Sequence, residues 1–274
     1  LNRGDVPACE LTKDDIIQLS GAVFGAKTLD VRIAEFLGLV VGDGCLMGKQ
    51  ETAMLTLSPD EEALAHHVHQ SLSSYKNEFS RDGREARDIE VTRPQETLRL
   101  GTSARCVVDV LKTHAVLAAG SAEKAFTPEA FTLDRSAQAA ILRGLFTADG
   151  TVADYGDKSQ YVALDSTSIE LVGQVQLMLL SFGIKSKIYR NRRIAGQTTA
   201  WLPDGKGGSK EYPVQQMHSL RISRSSRLVF AQEIGFVTGS RKNEQLSALN
   251  NRVATYQDHL IDTIESLEFL GEDV

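Results

Sequence analysis

Two nine-residue stretches constrain this chain more than any other feature: Phe36 to Gly44 reads FLGLVVGDG, and Leu142 to Gly150 reads LRGLFTADG. Each is an apolar segment with helical spacing that runs into a glycine turn and leaves one carboxylate, Asp43 or Asp149, at its foot. What surrounds them also repeats. Asp30 is a suitable N-cap for a helix carrying Ile33, Phe36, Leu37, Val40 and Val41 on a broad apolar face. A strand in AMLTLS follows, and Ser58, Pro59 and Glu61 predict a capping box, with proline at the first helical position, for a helix with Leu64, Val68 and Leu72 on one stripe. Beyond a charged segment from Tyr75 to Arg93, ETLRLGTSARCVVDVLKTH predicts a strand, a Thr102 cap and a helix.

The second half runs in the same order. A helix starting near Asp134 or Ser136 carries Ala140, Ile141, Leu142 and Leu145 and stops at Ala148-Asp149-Gly150. Tyr161 to Leu164 reads as a strand; Thr167 with Glu170 predicts a capping box for a helix with Leu171, Val175, Met178, Leu179 and Phe182 inward. GIKSKIYRNRR predicts a cationic strand, and HSLRISRSSRLVFAQEIGF parallels ETLRLGTSARCVVDVLKTH. The offset between the halves is 106 residues at Asp43 and Asp149, 109 at Ser58 and Thr167, and 122 at Leu98 and Leu220. One insertion in the second half, LPDGKGGSKEYP, explains the drift. A period this long is that of a duplicated domain with pseudo-twofold symmetry rather than of a solenoid. The halves span residues 31–133 and 134–250, and 42% hydrophobic residues in a chain of 274 supply enough core for two intimately packed units.

The net charge of −6 is unfavourable for a nucleic-acid binder until its distribution is read. Between Lys185 and Lys242 lie twelve Lys and Arg residues against Asp204, Glu211 and Glu233, a local +9; the rest of the chain has 18 positive against 33 negative residues. A cationic region is carried on an acidic protein. Cys9, Cys45 and Cys106 are odd in number and lack CxxC spacing, which argues against a disulfide framework or structural zinc and predicts an intracellular protein, cytoplasmic or nucleoid-associated. No apolar run has the length of a membrane span.

With the halves related by a pseudo-dyad, the helices carrying Gly38 and Gly144 can pack closely there and bring Asp43 and Asp149 together. Two carboxylates so placed repel unless cations sit between them, and few hard oxygen donors with open positions suit Mg²⁺, which takes water and substrate phosphates as its other ligands. Such a site can hydrolyse phosphodiesters. A small-molecule enzyme cradling phosphate on glycines is a poor fit, because neither motif is GxGxxG after a strand and each lies at a helix end.

The two stretches resemble the paired motifs that name the LAGLIDADG homing endonucleases, a resemblance covering roughly Val31 to Leu246. Both copies depart from the name at the sixth position, where Val41 and Thr147 replace an acid; the eighth-position acids are retained, so activity is expected. The resemblance implies an α+β fold of two pseudo-symmetric αββαββα subdomains forming a saddle over the major groove of duplex DNA, with double-strand cleavage across the minor groove of a long, specific site. It implies Mg²⁺, with Mn²⁺ or Ca²⁺ able to substitute for binding, at Asp43, Asp149, Gly42 and Ala148, and a supporting basic residue in each half. Lys124 and Lys242 fit that role, 81 and 93 residues beyond their acids.

Candidate DNA contacts follow from strand alternation, which puts Lys185, Lys187, Tyr189 and Asn191 on one face and Arg190 and Arg192 on the other. Arg193, Arg221, Arg224 and Lys158 add cations; Gln50, Gln160, Asn191 and Gln197 could read adenine; and Lys49, Arg81, Arg84, Arg87, Arg93 and Arg99 are the first-half counterparts, weakened by neighbouring acids. His66, His67 and His69 lack metal-spaced partners and read as surface or interface residues, and Trp201 as an anchor for the glycine-rich insertion.

Double-motif enzymes of this kind are commonly embedded in inteins, and residues 1–30 and 251–274, the latter expected to hold a further helix, resemble linkers to a splicing domain. LNRGDVPA and LEFLGEDV look like seams, with GEDV like the start of a downstream splicing block; without an initial Cys, Ser or Thr or a terminal His-Asn pair, the segment is not expected to splice alone. The expectation is a monomeric endonuclease domain from an intein. The rival is a catalytically inactive DNA- or RNA-binding relative, an intron maturase or transcription regulator.

Overall fold

The computed structural model describes residues 4–49, 51–79, 90–92, 97–117, 120–156, 158–194, 196–203, 208–254 and 256–268. After a short strand β1 (Ile16–Gln18), the first half comprises α1 (Val31–Asp43), β2 (Gly44–Met47), β3 (Thr52–Leu57), α2 (Glu62–Phe79), β4 (Glu90–Thr92), β5 (Leu98–Thr102) and α3 (Arg105–His114). This is the αββαββα order. A two-stranded ribbon, β6 (Ala115–Val116) with β7 (Ala125–Phe126), and a turn of helix α4 (Pro128–Phe131) lead to the second half. There α5 (Arg135–Asp149), β8 (Gly150–Asp154), β9 (Gln160–Ser166), α6 (Ile169–Ser181), β10 (Lys187–Tyr189), β13 (His218–Ile222) and α7 (Arg224–Glu233) repeat the order, followed by α8 (Lys242–Arg252).

The duplication is visible in the sheets: one runs β2-β3-β5-β4, the other β8-β9-β13-β10, strand for strand the same sequence of neighbours, all antiparallel. Strands β2 and β8 went unread in the sequence because each begins at the glycine that ends a helix. The insertion is a hairpin, β11 (Thr199–Pro203) with β12 (Ser209–Pro213), and Trp201 on it is 71% exposed rather than an anchor.

At the centre α1 packs against α5. Helix α1 is apolar on most sides because it is covered on most sides, with Ile33, Phe36, Leu37, Leu39 and Val40 all buried. The crossing is possible only without side chains at two positions: a Cβ on Gly38 would lie 2.0 Å from Ile141 O, and one on Gly144 would lie 2.0 Å from Glu35 O. Arg143 spans the same junction, donating from Nη1 to Glu35 Oε1 at 2.7 Å and from Nε to Ile234 O at 2.7 Å.

The caps are partly as predicted. Asp30 accepts from Arg32 N–H and Asp134 from Ala137 N–H. Helix α2 begins at Glu62, after the turn that contains Pro59, although Glu61 does accept from Ser58 N–H at 3.0 Å. Ala104, not Thr102, occupies the N-cap of α3, with the Thr102 hydroxyl accepting its N–H at 3.2 Å. Ser168, not Thr167, caps α6, and Thr167 Oγ1 is buried without a partner. The cationic strand is short: Asn191 takes φ 51°, which ends the alternation after Tyr189. Beyond Arg252 the described residues form no helix; β14 (Ile261–Thr263) instead pairs antiparallel with β1. The three cysteines are free, and no helix among the described residues is long and apolar enough to cross a membrane.

Candidate active site and nucleic-acid interface

The C-terminal ends of α1 and α5 meet. Asp43 is the last residue of one helix and Asp149 of the other, and their carboxyl groups hydrogen-bond to each other. Loss of water pushes the Asp43 carboxyl above its ordinary range, opposed by Lys242 and Lys124. Burial, and then the facing Asp43, push Asp149 to about 7. Asp43 keeps an exposed side, which leaves the pair open to a ligand arriving from solvent.

Lys124 and Lys242 hold equivalent places around this pair. A helix end leaves its last carbonyls without intrahelical partners, and each lysine supplies them. Lys124 Nζ donates to Val41 O at 2.8 Å, Gly42 O at 2.6 Å and Gly44 O at 3.0 Å; Lys242 Nζ donates to Thr147 O at 2.5 Å and Ala148 O at 3.1 Å. Both ammonium groups are pushed below the usual lysine range, first by burial, while the two carboxylates, and for Lys242 first of all Glu61, pull the other way. An ammonium at a helix C-terminus is also favoured by the helix dipole. Gly42 and Ala148 face each other beside the acids, a Cβ on Gly42 falling 2.4 Å from Ala148 Cβ. The sixth-position departures have structural reasons: Val41 is core, and Thr147 is buried with its hydroxyl donating to Arg143 O and accepting from Val237 N–H.

Of the proposed DNA contacts, the second sheet assembles a coherent set on its exposed face. Arg221 on β13 lies between two rings, 4.3 Å from Tyr161 on β9 and 4.7 Å from Tyr189 on β10, and Lys187 Nζ lies 5.4 Å from the Tyr189 ring. Arg192, past the end of the strand, still reaches to 5.9 Å from that ring. Tyr161 was missed because its strand pairing, which puts it beside Arg221, is not a local property. Arg190 and Asn191 are exposed beyond the strand and Arg193 is half-buried, so the simple two-face division does not hold for them.

The rest are dispersed. Lys185 does not share the exposed face, because its ammonium donates to Ile261 O at 2.5 Å. Arg224, with φ 52°, stands at the start of α7, 3.9 Å from Asp258. Lys158 is exposed in the β8–β9 turn, Gln160 gives its carbonyl to Arg227, and Gln197 donates to Thr199 O. In the first half Lys49 and Arg99 are exposed; Gln50, Arg81, Arg84, Arg87 and Arg93 lie outside the described residues. On α2, His66 is exposed and His67 sits 3.9 Å from Glu35.

Comparison with known proteins agrees with this architecture. Residues 136–235 match the model of the LAGLIDADG-like domain. The chain is 29% identical over 224 residues to ribonucleoside-diphosphate reductase NrdEB subunit alpha of Bacillus subtilis, a match covering 78% of this chain and 20% of that protein. It is 26% identical over 136 residues to the ATP-dependent DNA helicase Hel308 of Thermococcus kodakarensis, covering 49% of this chain and 11% of that protein. The chain thus spans a fifth or less of the length of these relatives. Among solved structures, I-DmoI in complex with DNA and Ca superposes with a TM-score of 0.50 at 17% identity, covering 81% of this chain and 98% of that one. Residues 136–235 thus match a LAGLIDADG-like domain, and the chain as a whole takes the fold seen in I-DmoI.

Proposed function

We propose that this chain is a site-specific homing endonuclease domain that hydrolyses both strands of a long duplex DNA target as a monomer. The observation that carries this reading is the meeting of Asp43 and Asp149 at the shared foot of α1 and α5, from which strands β2 and β8 of the two equivalent sheets depart. Each half supplies one acid, one lysine and one sheet, so a single chain can address both strands of a pseudo-symmetric target.

The donor set fits a divalent cation. Two buried carboxyls set against each other are relieved by a doubly charged ion, and both are hard oxygen donors suited to Mg²⁺, with Mn²⁺ or Ca²⁺ able to take its place for binding. Asp43 and Asp149 would hold it beside the main chain of Gly42 and Ala148. Among the described residues no group of three or more His, Cys, Asp or Glu is placed to hold a metal, so the remaining ligands would come from water and from phosphate oxygens. When bound, the ion supplies activation of water and charge stabilisation at the leaving oxygen. Lys124 and Lys242 act as positioning residues: by holding the terminal carbonyls they fix the ends of both motif helices and so the spacing of the two acids. Lys187 and Arg221 hold the DNA backbone, and the Tyr161 and Tyr189 rings keep Arg221 extended for it.

Embedding in an intein is supported by the partial matches. Related segments occur inside a reductase subunit and a helicase, two long proteins of different names, which is the pattern left by a mobile element inserted in successive hosts. Its place of action would be wherever the genomic DNA lies, the cytoplasm or nucleoid.

Cleavage of a randomised duplex library with and without Mg²⁺ tests the reading. The intact protein should cut one family of sites, and Asp43→Asn or Asp149→Asn should abolish cutting while retaining binding. Specific binding without cutting by the intact protein would replace the nuclease with the inactive maturase or regulator.

A further inference from the structure

Beside the second sheet lies a recess of about 810 Å³ that the paired acids do not use. It opens where β9 begins, β10 begins and β13 ends, and Arg252, Val253, Ala254, Tyr256 and Asp258 also line it. Its lining includes Lys187, Arg221, Arg224, Arg227 and Arg252 against a single acid, Asp258. Most of these cations have partners: Arg252 pairs with Asp154, and Arg224 lies 3.9 Å from Asp258. Arg227 does not have enough. It is 1% exposed, its Nε donates to Asn250 Oδ1 at 2.6 Å and its Nη1 to Gln160 O at 3.3 Å, and its Nη2 has no partner. Ser186, which also lines the recess, likewise has its Oγ buried and unpartnered. A buried guanidinium with an idle donor is costly, and an anion is what relieves it.

We propose that this recess is a phosphate-binding pocket, with Arg227 Nη2 and Ser186 Oγ as its floor, and that it takes one backbone phosphodiester of duplex DNA. The choice of DNA over a free phosphate compound comes from continuity and rests on the endonuclease reading above: Lys187, Tyr189 and Arg221 line the recess and also stand on the exposed face of the sheet, so a backbone lying across that face leads into it. The pocket fixes the register of the second half on the duplex rather than reading bases. Burial pushes the Arg227 guanidinium below its usual range, a strain that a bound phosphate would remove.

Equilibrium binding of the whole chain to a labelled duplex of arbitrary sequence, followed over a salt series, tests this without knowledge of the target. Ser186→Asp places a carboxylate where the phosphate would sit. It should raise the melting temperature by satisfying Arg227 yet lower the slope of log affinity against log salt by about 0.9, the contribution of one phosphate. Ser186→Ala should leave the slope nearly unchanged, and Arg227→Gln should lower the slope as the aspartate variant does but without the rise in melting temperature. Equal slopes for wild type and Ser186→Asp would overturn the pocket while leaving the endonuclease reading intact. Failure of the wild type to bind duplex at all would overturn that reading itself. Inorganic phosphate that stabilises the wild type but not Ser186→Asp, with equal duplex slopes, would show a site for free phosphate and overturn the assignment to DNA.

Discussion

Asp149 and Lys242 illustrate how single residues here are held in costly states by their surroundings. The folded pKa of Asp149, about 7, stands above the unfolded value of about 3.9, so between these values the folded chain keeps a proton that the unfolded chain has lost. The stability this group contributes is full below the unfolded pKa and is lost as pH rises through 7. In EDTA, the protein should therefore melt lower at pH 8 than at pH 5.5, and Asp149→Asn should cancel most of that difference, on the order of 1–2 kcal/mol after allowance for partial exposure. A melting profile that falls equally in the variant would put the effect elsewhere. Lys242→Met removes the donor from Thr147 O and Ala148 O, two carbonyls at a buried helix end. Chemical denaturation should show a loss of about 1–3 kcal/mol. Lys242→Arg should not restore full activity, because a planar fork cannot replace a compact ammonium there.

The crossing of α1 and α5 is the element on which the site depends, and glycine content alone does not predict it. Gly38→Ala puts a methyl 2.0 Å from a main-chain oxygen that cannot rotate away. The helices must separate, so the variant should lose about 3 kcal/mol or more in denaturant titration and its cutting should fall further than its stability, since the acids part with the helices. Gly173 in α6 is the control. A Cβ there meets nothing within 4 Å, so Gly173→Ala should stabilise by about 0.5–1 kcal/mol through helix propensity. Sequence patterning did reveal the two motif helices and the repeated order of their neighbours, because these rest on local periodicity, caps and a repeat that can be compared with itself, whereas the two lysines were singled out by the family resemblance. It missed β2 and β8, which have no turn of their own, and mistook the insertion for a loop although it pairs with itself as β11 and β12. Arg227 was also missed as a buried residue, despite lying three residues before the buried Phe230 on the inward side of α7. Its spacing on the helix, not its charge, agrees with its burial.

Across the whole molecule, the two halves share a fold but not a surface. The exposed face of the first sheet carries Met47, Met54 and Thr56, with Arg99 its cation among the described residues; the second presents Lys187 and Arg221 between tyrosines. A protein of net charge −6 is repelled by DNA at long range, so on the endonuclease reading proposed above its approach is steered by the half that carries the local excess of positive charge. Lys187→Gln with Arg221→Gln should then lower the salt slope of nonspecific duplex binding by about 1.8, two phosphates, whereas Arg99→Gln should lower it by no more than about 0.9. Stopped-flow association would show the same asymmetry in the on-rate at low salt. If Arg99→Gln proved the more damaging, steering would belong to the first half. The cationic second sheet would then act after docking, in holding the duplex rather than in finding it.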